Sequence, residues 1–259
     1  MTGETPDKTD MIQSVAMALQ VLEALAQAEG DVGVTALASA LGTTKSRIHR
    51  HLRTLVTLGY ISQSEETERY RIGARLIALG RAASGTVDLS WIAQPHMRAL
   101  RDQTGQAVSL GQVEDTGIRI LNTLHGRMQI EVGVRPGSIL GYCNSAQGKV
   151  ALAAFAPDRQ AELMALPCPA STEFTITGRD ELAAHIAEVG ARGWATAPNE
   201  TMLGLNALAC PIFNADKEPV ATIAIVSLTQ YIETPPHPDQ IAAVKEAAAR
   251  ISAELGYTG

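Results

Sequence analysis

Between Ile12 and Ile72 the hydrophobic period changes once, and glycines mark the breaks. Ile12, Val15, Leu19, Leu22 and Ala26 recur at three- and four-residue steps, the spacing of one helical face. Gly30 ends that helix. A second helix is predicted over 35–41, with Thr35 as its N-cap and Gly42 as its stop. A third starts at Thr43 or Thr44 and buries Ile48, Leu52, Leu55 and Val56 before Gly59. The period then drops to two. Residues 60–63 and 69–72 read as short strands around the polar turn 64–68. Three helices and a hairpin in this order make a winged helix-turn-helix, with Gly42 in the turn between the second and third helices.

A further apolar helix follows over 73–84, carrying Leu76, Ile77, Leu79 and Gly80, and links this unit to a second one. There, helices are predicted over 89–101, 144–155, 157–166, 180–191 and 235–255. Strands are predicted over 106–113, 117–124, 137–143, 194–197, 207–214 and 220–228. Strands mostly joined by short turns give an antiparallel sheet, so the fold class is α+β. The expected division is a disordered arm over 1–10, a DNA-binding domain over 11–72, a linker helix over 73–87 and an effector-binding domain over 88–256.

With 46% hydrophobic residues the chain has enough apolar content for packed cores. Its apolar runs fall well short of the roughly 20 residues that span a bilayer. The opening MTGETPDKTD has neither the basic nor the apolar region of a signal peptide. Cys143, Cys168 and Cys210 are odd in number and widely spaced, so no disulfide framework or zinc motif follows from them, and a reducing cytoplasm is the expected location.

The formal charge of −6 argues against a protein that coats nucleic acid over its whole surface. Its distribution points elsewhere. Residues 43–53, TTKSRIHRHLR, hold Lys45, Arg47, Arg50 and Arg53 with His49 and His51, and no acid. On the third helix of a helix-turn-helix, such a stripe suits the major groove, where arginine pairs with guanine through two hydrogen bonds. Thr43, Thr44, Ser46 and the helix N-terminus suit phosphate, and Arg69 and Arg71 on the wing suit phosphate or the minor groove. The bland alternative is a solvated basic face in an ordinary bundle.

QSVAMALQVLEAL, VTALASALGTTKSRIHRHLRTLVTLGYI and ERYRIGARLIALG resemble the first helix, the helix-turn-helix, and the wing with linker helix of the IclR family of transcriptional regulators. NSAQGKVALAAF and GWATAPNETMLGLNALACPIFNADKEPVATIAIVS resemble its ligand domain. The resemblance implies a DNA-binding homodimer, or a dimer of dimers, whose GAF-like domain binds a small metabolite. Where relatives that bind small polar acids carry an acid, a cysteine and two serines, the matching positions here are Ala197, Ala207, Ala224 and Val226. Loss of those hydrogen-bonding groups disfavours a very polar ligand and points to a larger, partly apolar effector such as an aromatic acid. Asn199 or Asn206 could restore polarity, in which case the ligand is small after all. Ser145 is a candidate cap whose helix N-terminus, at Ala146 and Gln147, offers N–H groups to a carboxylate. Val132, Leu140 and Cys143 are candidates for the apolar side.

Gly148-Lys149 lacks the remaining residues of a P-loop. The six histidines are scattered, with no HExxH and no His/Cys cluster, so neither a metal nor a cofactor is expected. The reading is therefore a ligand-responsive, sequence-specific regulator of a catabolic operon rather than an enzyme. Its partners are operator DNA and a small-molecule effector, with no membrane. The alternatives are an enzyme with an appended helix-turn-helix and a structural DNA-bending protein.

Overall fold

A computed structural model describes residues 12–28, 30–84, 89–128 and 132–259. The arm expected over 1–10 and the end of the linker helix lie outside the described residues. The chain divides into two compact units, Met1–Val87 and Asp88–Gly259.

In the first unit α1 (Gln13–Ala26), α2 (Val34–Ala40) and α3 (Lys45–Thr57) precede the antiparallel strands β1 (Ile61–Gln63) and β2 (Tyr70–Ile72), and α4 (Ala74–Ser84) follows. Val21 and Leu25 of α1, Leu37 and Ala38 of α2, and Ile48, Leu52 and Leu55 of α3 close over Ile61 and Tyr70 in one small core. The second helix does not begin as expected. Its cap is Gly33, which has no side chain to offer, and Thr35 lies inside the helix. The wing is tied back by Val32, whose N–H donates to the Tyr70 carbonyl and whose carbonyl accepts from the Tyr70 N–H.

The second unit runs α5 (Leu89–Thr104), β3 (Ala107–Glu114), β4 (Gly117–Leu124), β5 (Ile139–Leu140), α6 (Ala146–Ala154), α7 (Pro157–Met164), α8 (Arg179–Arg192), β6 (Ala195–Thr196), β7 (Leu205–Phe213), β8 (Pro219–Leu228) and α9 (Pro238–Glu254). The strands form one six-stranded antiparallel sheet in the order β5-β4-β3-β8-β7-β6. The strand predicted over 137–143 shortens to Ile139–Leu140. The last helix starts later than predicted, at Pro238, where His237 and Gln240 form a capping box.

Strand alternation sorts the sheet's two faces. Leu208, Cys210 and Ile212 of β7, with Ala221, Ile223 and Ile225 of β8, pack against α5 and α9. Ala209 and Ala224 face the other way, under Ala146 and Val150 of α6 and Val189 of α8. These small residues let α6 lie close to the strands. Gly148 in the first turn of α6 is equally constrained, because a Cβ there would stand 2.1 Å from the Gly141 carbonyl oxygen.

Candidate nucleic-acid interface and effector pocket

Thr44 caps α3, its side-chain oxygen accepting from the Arg47 N–H at 3.4 Å. Ile48, Leu52 and Leu55 anchor the helix in the core. Helical spacing then places Ser46, Arg50, Arg53 and Thr57 on the arc opposite the core, with Arg47 and His49 flanking it. Lys45, Ser46, Arg47, His49, Arg50 and Arg53 are all exposed, Thr43 is half-buried, and α3 carries no acid. His51, read from the sequence as part of the outward stripe, departs from it. It is half-buried and lines a groove with residues of α1 and α4, where burial and the charges of Arg47 and Arg50 lower its pKa. On the wing Arg69 and Arg71 are exposed, and Arg69 donates to the Asp31 carbonyl at 3.4 Å. The turn between the wing strands carries Glu65, Glu66 and Glu68.

The second unit holds a small pocket of about 60 Å³ between the N-terminus of α6, the sheet and the 197–205 loop. Of the residues expected there, Leu140, Ser145, Ala146, Gln147, Ala197, Asn206, Ala207 and Val226 line it, together with Val134, Thr201 and Leu205. Ser145 caps α6, accepting from the Gly148 N–H at 3.0 Å and donating to the Gly141 carbonyl at 2.7 Å. The N–H groups of Ala146 and Gln147 are the first two of that helix and have no carbonyl a turn behind them.

The polar side chains nearest the pocket are already satisfied. The Gln147 amide accepts from Ser109 and donates to Thr222. The Asn206 Oδ1 accepts from the Ala197 and Ala207 N–H groups, and its Nδ2 donates to the Ile232 carbonyl and the Thr234 hydroxyl. The Thr201 hydroxyl donates to the Asn144 carbonyl at 2.8 Å.

Four expected residues lie elsewhere. Ala224 points at α6 but is sealed beneath it, with no exposed surface. Asn199 sits at φ 61° and accepts from the Gly204 N–H at 2.7 Å, so its amide braces the 199–204 turn. Val132 is not among the lining residues. Cys143 corrects the expectation that the cysteines stand apart. It is joined to Cys168 in a disulfide, and both line a separate recess of about 200 Å³. Cys210 is free and buried on β7, where burial pushes its thiol up to about 12.

Sequence reasoning also missed what Lys149 does. Its side chain is fully buried and ion-paired with Glu200, itself 4% exposed. Burial lowers the Lys149 pKa against the opposing pull of Glu200. The pair pins the 197–205 loop to α6. No spacing rule signals a contact between residues so far apart in the chain. Among the described residues no group of His, Cys, Asp and Glu could hold a metal ion, and no helix is long and apolar enough to cross a membrane.

A winged helix-turn-helix with an acid-free cationic helix, in one chain with an antiparallel sheet domain that encloses a pocket, defines a ligand-responsive transcriptional regulator. The models for the IclR helix-turn-helix domain and for the C-terminal part of bacterial IclR regulators match residues 14–65 and 81–253. The chain belongs to the IclR family. It is 29% identical over 249 residues to the HTH-type transcriptional regulator KdgR of Escherichia coli K12, covering 96% of this chain and 94% of that one. A putative IclR regulator from Silicibacter shares the fold with a TM-score of 0.80 at 23% identity, over 95% of this chain and 97% of that one. So does an IclR homologue from Microbacterium hydrocarbonoxydans complexed with 4-hydroxybenzoate, with a TM-score of 0.59 at 21% identity, over 93% and 98%.

Proposed function

We propose that this regulator controls a catabolic operon in response to a small carboxylate with an apolar, single-ring body, and that it reads a palindromic operator as a homodimer. The observation that carries the effector class is the saturation of the pocket's polar side chains. Gln147 and Asn206 have spent their hydrogen bonds on the sheet and its loops. What remains is a pair of N–H groups at the α6 N-terminus, which suits one carboxylate. The apolar lining is Val134, Leu140, Ala197, Leu205, Ala207 and Val226. A second polar group buried against the apolar walls of the pocket, away from those N–H groups, would cost about 1–3 kcal/mol in desolvation. The homologue bound to 4-hydroxybenzoate indicates that the same fold can take such a compound.

The pocket is far smaller than the several hundred Å³ typical of ligand sites. A ring therefore enters only as Leu205 and the Val134 segment move outward, while the tied 199–201 segment stays in place. That requirement gives the effector a preference between two arrangements of the domain, without which no ligand can shift an equilibrium. The linker helix joins the sensor to the DNA-binding unit, and the dimer's operator-competent population follows.

Calorimetry on the full chain decides between effector classes. Glyoxylate and pyruvate are titrated beside benzoate and 4-hydroxybenzoate. The benzoates are expected to bind at least tenfold more tightly and to alter operator binding in a gel shift. Tight binding of the two- and three-carbon acids alone refutes the aromatic assignment.

A further inference from the structure

The disulfide between Cys143 and Cys168 lines a recess of its own, and it is joined to the effector pocket through the cap of α6. Cys143 lies two residues before Ser145, the cap of α6. Cys168 lies on the connection between α7 and α8, which has little regular structure of its own. That connection holds the 199–201 segment by side chains. The Thr172 hydroxyl donates to the Asn199 carbonyl at 2.6 Å and the Thr175 hydroxyl to the Glu200 carbonyl at 2.9 Å. The Ile176 N–H donates to the Glu200 carboxylate at 3.5 Å. Two further bonds return to the cap, from the Asn144 amide to the Ser171 hydroxyl at 3.0 Å and from the Thr201 hydroxyl to the Asn144 carbonyl at 2.8 Å. The cap, the 168–176 segment and the 199–201 segment are thus one hydrogen-bonded ring, and the cystine is its covalent link.

We propose that the Cys143–Cys168 pair is a redox switch that sets effector affinity by fixing or releasing this ring. The proposal rests on the pocket assignment above and adds its regulation. A dithiol reductant donates two electrons and two protons, leaving two thiols on the protein and a disulfide on itself, and a small-molecule disulfide reverses the step by exchange. The recess lined by Cys143, Tyr142, Leu163, Pro167, Cys168 and Pro169 gives an approach, and Cys168 is only half-buried. A regulator works where the chromosome is, in a thiol-rich compartment of most cells, and disulfides there are characteristically transient or redox-sensing. Oxidised, the 25-residue separation between the cysteines is closed and the 168–176 segment holds 199–201 in place. Reduced, that segment gains freedom, and the carboxylate site must be ordered at the expense of binding. By linkage, bound effector resists reduction by the same factor.

The test compares oxidised and dithiothreitol-reduced full-length protein. Thiol titration in denaturant should count one thiol, Cys210, in the oxidised form and three in the reduced form. Three thiols persisting after treatment with oxidised glutathione would overturn the proposal. Hydrogen exchange of the 199–201 amides should quicken about tenfold on reduction, within the usual range of such coupling, while β3 and β8 stay unchanged. Equal protection in the two forms overturns it as well. Affinity for 4-hydroxybenzoate should fall about tenfold on reduction, and equal affinity in both forms is a third contrary result. If neither form binds any benzoate, the aromatic assignment fails on its own and the exchange measurement still decides the switch. The doubly substituted Cys143→Ser, Cys168→Ser protein should match reduced wild type and ignore reductant.

Discussion

His185 on α8 is held neutral by its surroundings. Burial is the main cause, and the nearby charges of Lys149 and Arg192 add to it against a small opposing effect of Glu188, bringing the imidazole down to about 4. Its Nε2 is buried without a hydrogen-bond partner among the described residues. In the unfolded chain the group titrates near its ordinary value of about 6.5. Between these two values the unfolded state binds a proton that the folded state refuses, so stability falls as pH drops from 6.5 toward 4 and is complete above 6.5. His185→Gln removes the titration while keeping a neutral polar group. Calorimetric melting from pH 7 to 4.5 should show a shallower decline for His185→Gln than for wild type. Parallel curves would mean that the folded protein accepts the proton after all. Neither this histidine nor the Lys149–Glu200 pair is legible in the sequence, since both depend on which distant side chains meet inside the fold. Ser145 is legible, because a serine ahead of an apolar helical run announces a cap by local chemistry alone.

At the scale of elements, α3 and the wing carry opposite charge. The helix presents Lys45, Arg47, Arg50 and Arg53, whereas the wing turn presents Glu65, Glu66 and Glu68 beside Arg69 and Arg71. Arg50→Ala should weaken operator binding by about 1–3 kcal/mol if it reads a base. Glu65→Gln with Glu66→Gln should act in the other direction. Each carboxylate opposes a phosphate some 8 Å away by about 0.5 kcal/mol in water, so affinity should rise for operator and random duplex alike. Gel shifts on both duplexes check the pair, and a gain confined to the operator would mean that the wing turn reads sequence. These elements were legible because apolar spacing and terminating glycines agree. The start of α2 was not, because Gly33 caps it without a side chain. The strand expected over 137–143 shrinks to Ile139–Leu140 because Gly141, Tyr142 and Cys143 serve the turn into α6 instead. There the Tyr142 hydroxyl donates to the Glu114 carbonyl at 2.5 Å, and Gly141 meets α6. In the pocket, Ala207 and Val226 were named by the resemblance rather than by strand alternation, and both line it. The resemblance could not show that α6 would seal Ala224, or that Asn206 would spend its amide on backbone groups.

Across the whole molecule, several large apolar side chains of the first unit stand exposed. Ile12 is 67% exposed, Val15 54%, Leu19 53% and Leu79 54%, on and beside α1 and on α4. Val15, Leu19, Leu58 and Leu79 line a groove of about 600 Å³ together with the half-buried Leu22 and the buried Leu55. Contiguous apolar surface of this kind marks an association site. In the two-fold dimer proposed above the same patch would serve both partners, the arrangement that a palindromic operator requires. Because Leu19 is half exposed, Leu19→Glu leaves the domain core intact and acts on association. A buried leucine contributes about 2 kcal/mol, and symmetry counts the change twice, so the dimer should weaken by about 4 kcal/mol, close to a thousandfold. Sedimentation should then find monomer at concentrations where wild type is dimeric. Affinity for the full operator should fall, while an isolated half-site is bound as well as by wild-type monomer. A Leu19→Glu protein that stays dimeric would place the interface on another surface and leave this patch to a different partner.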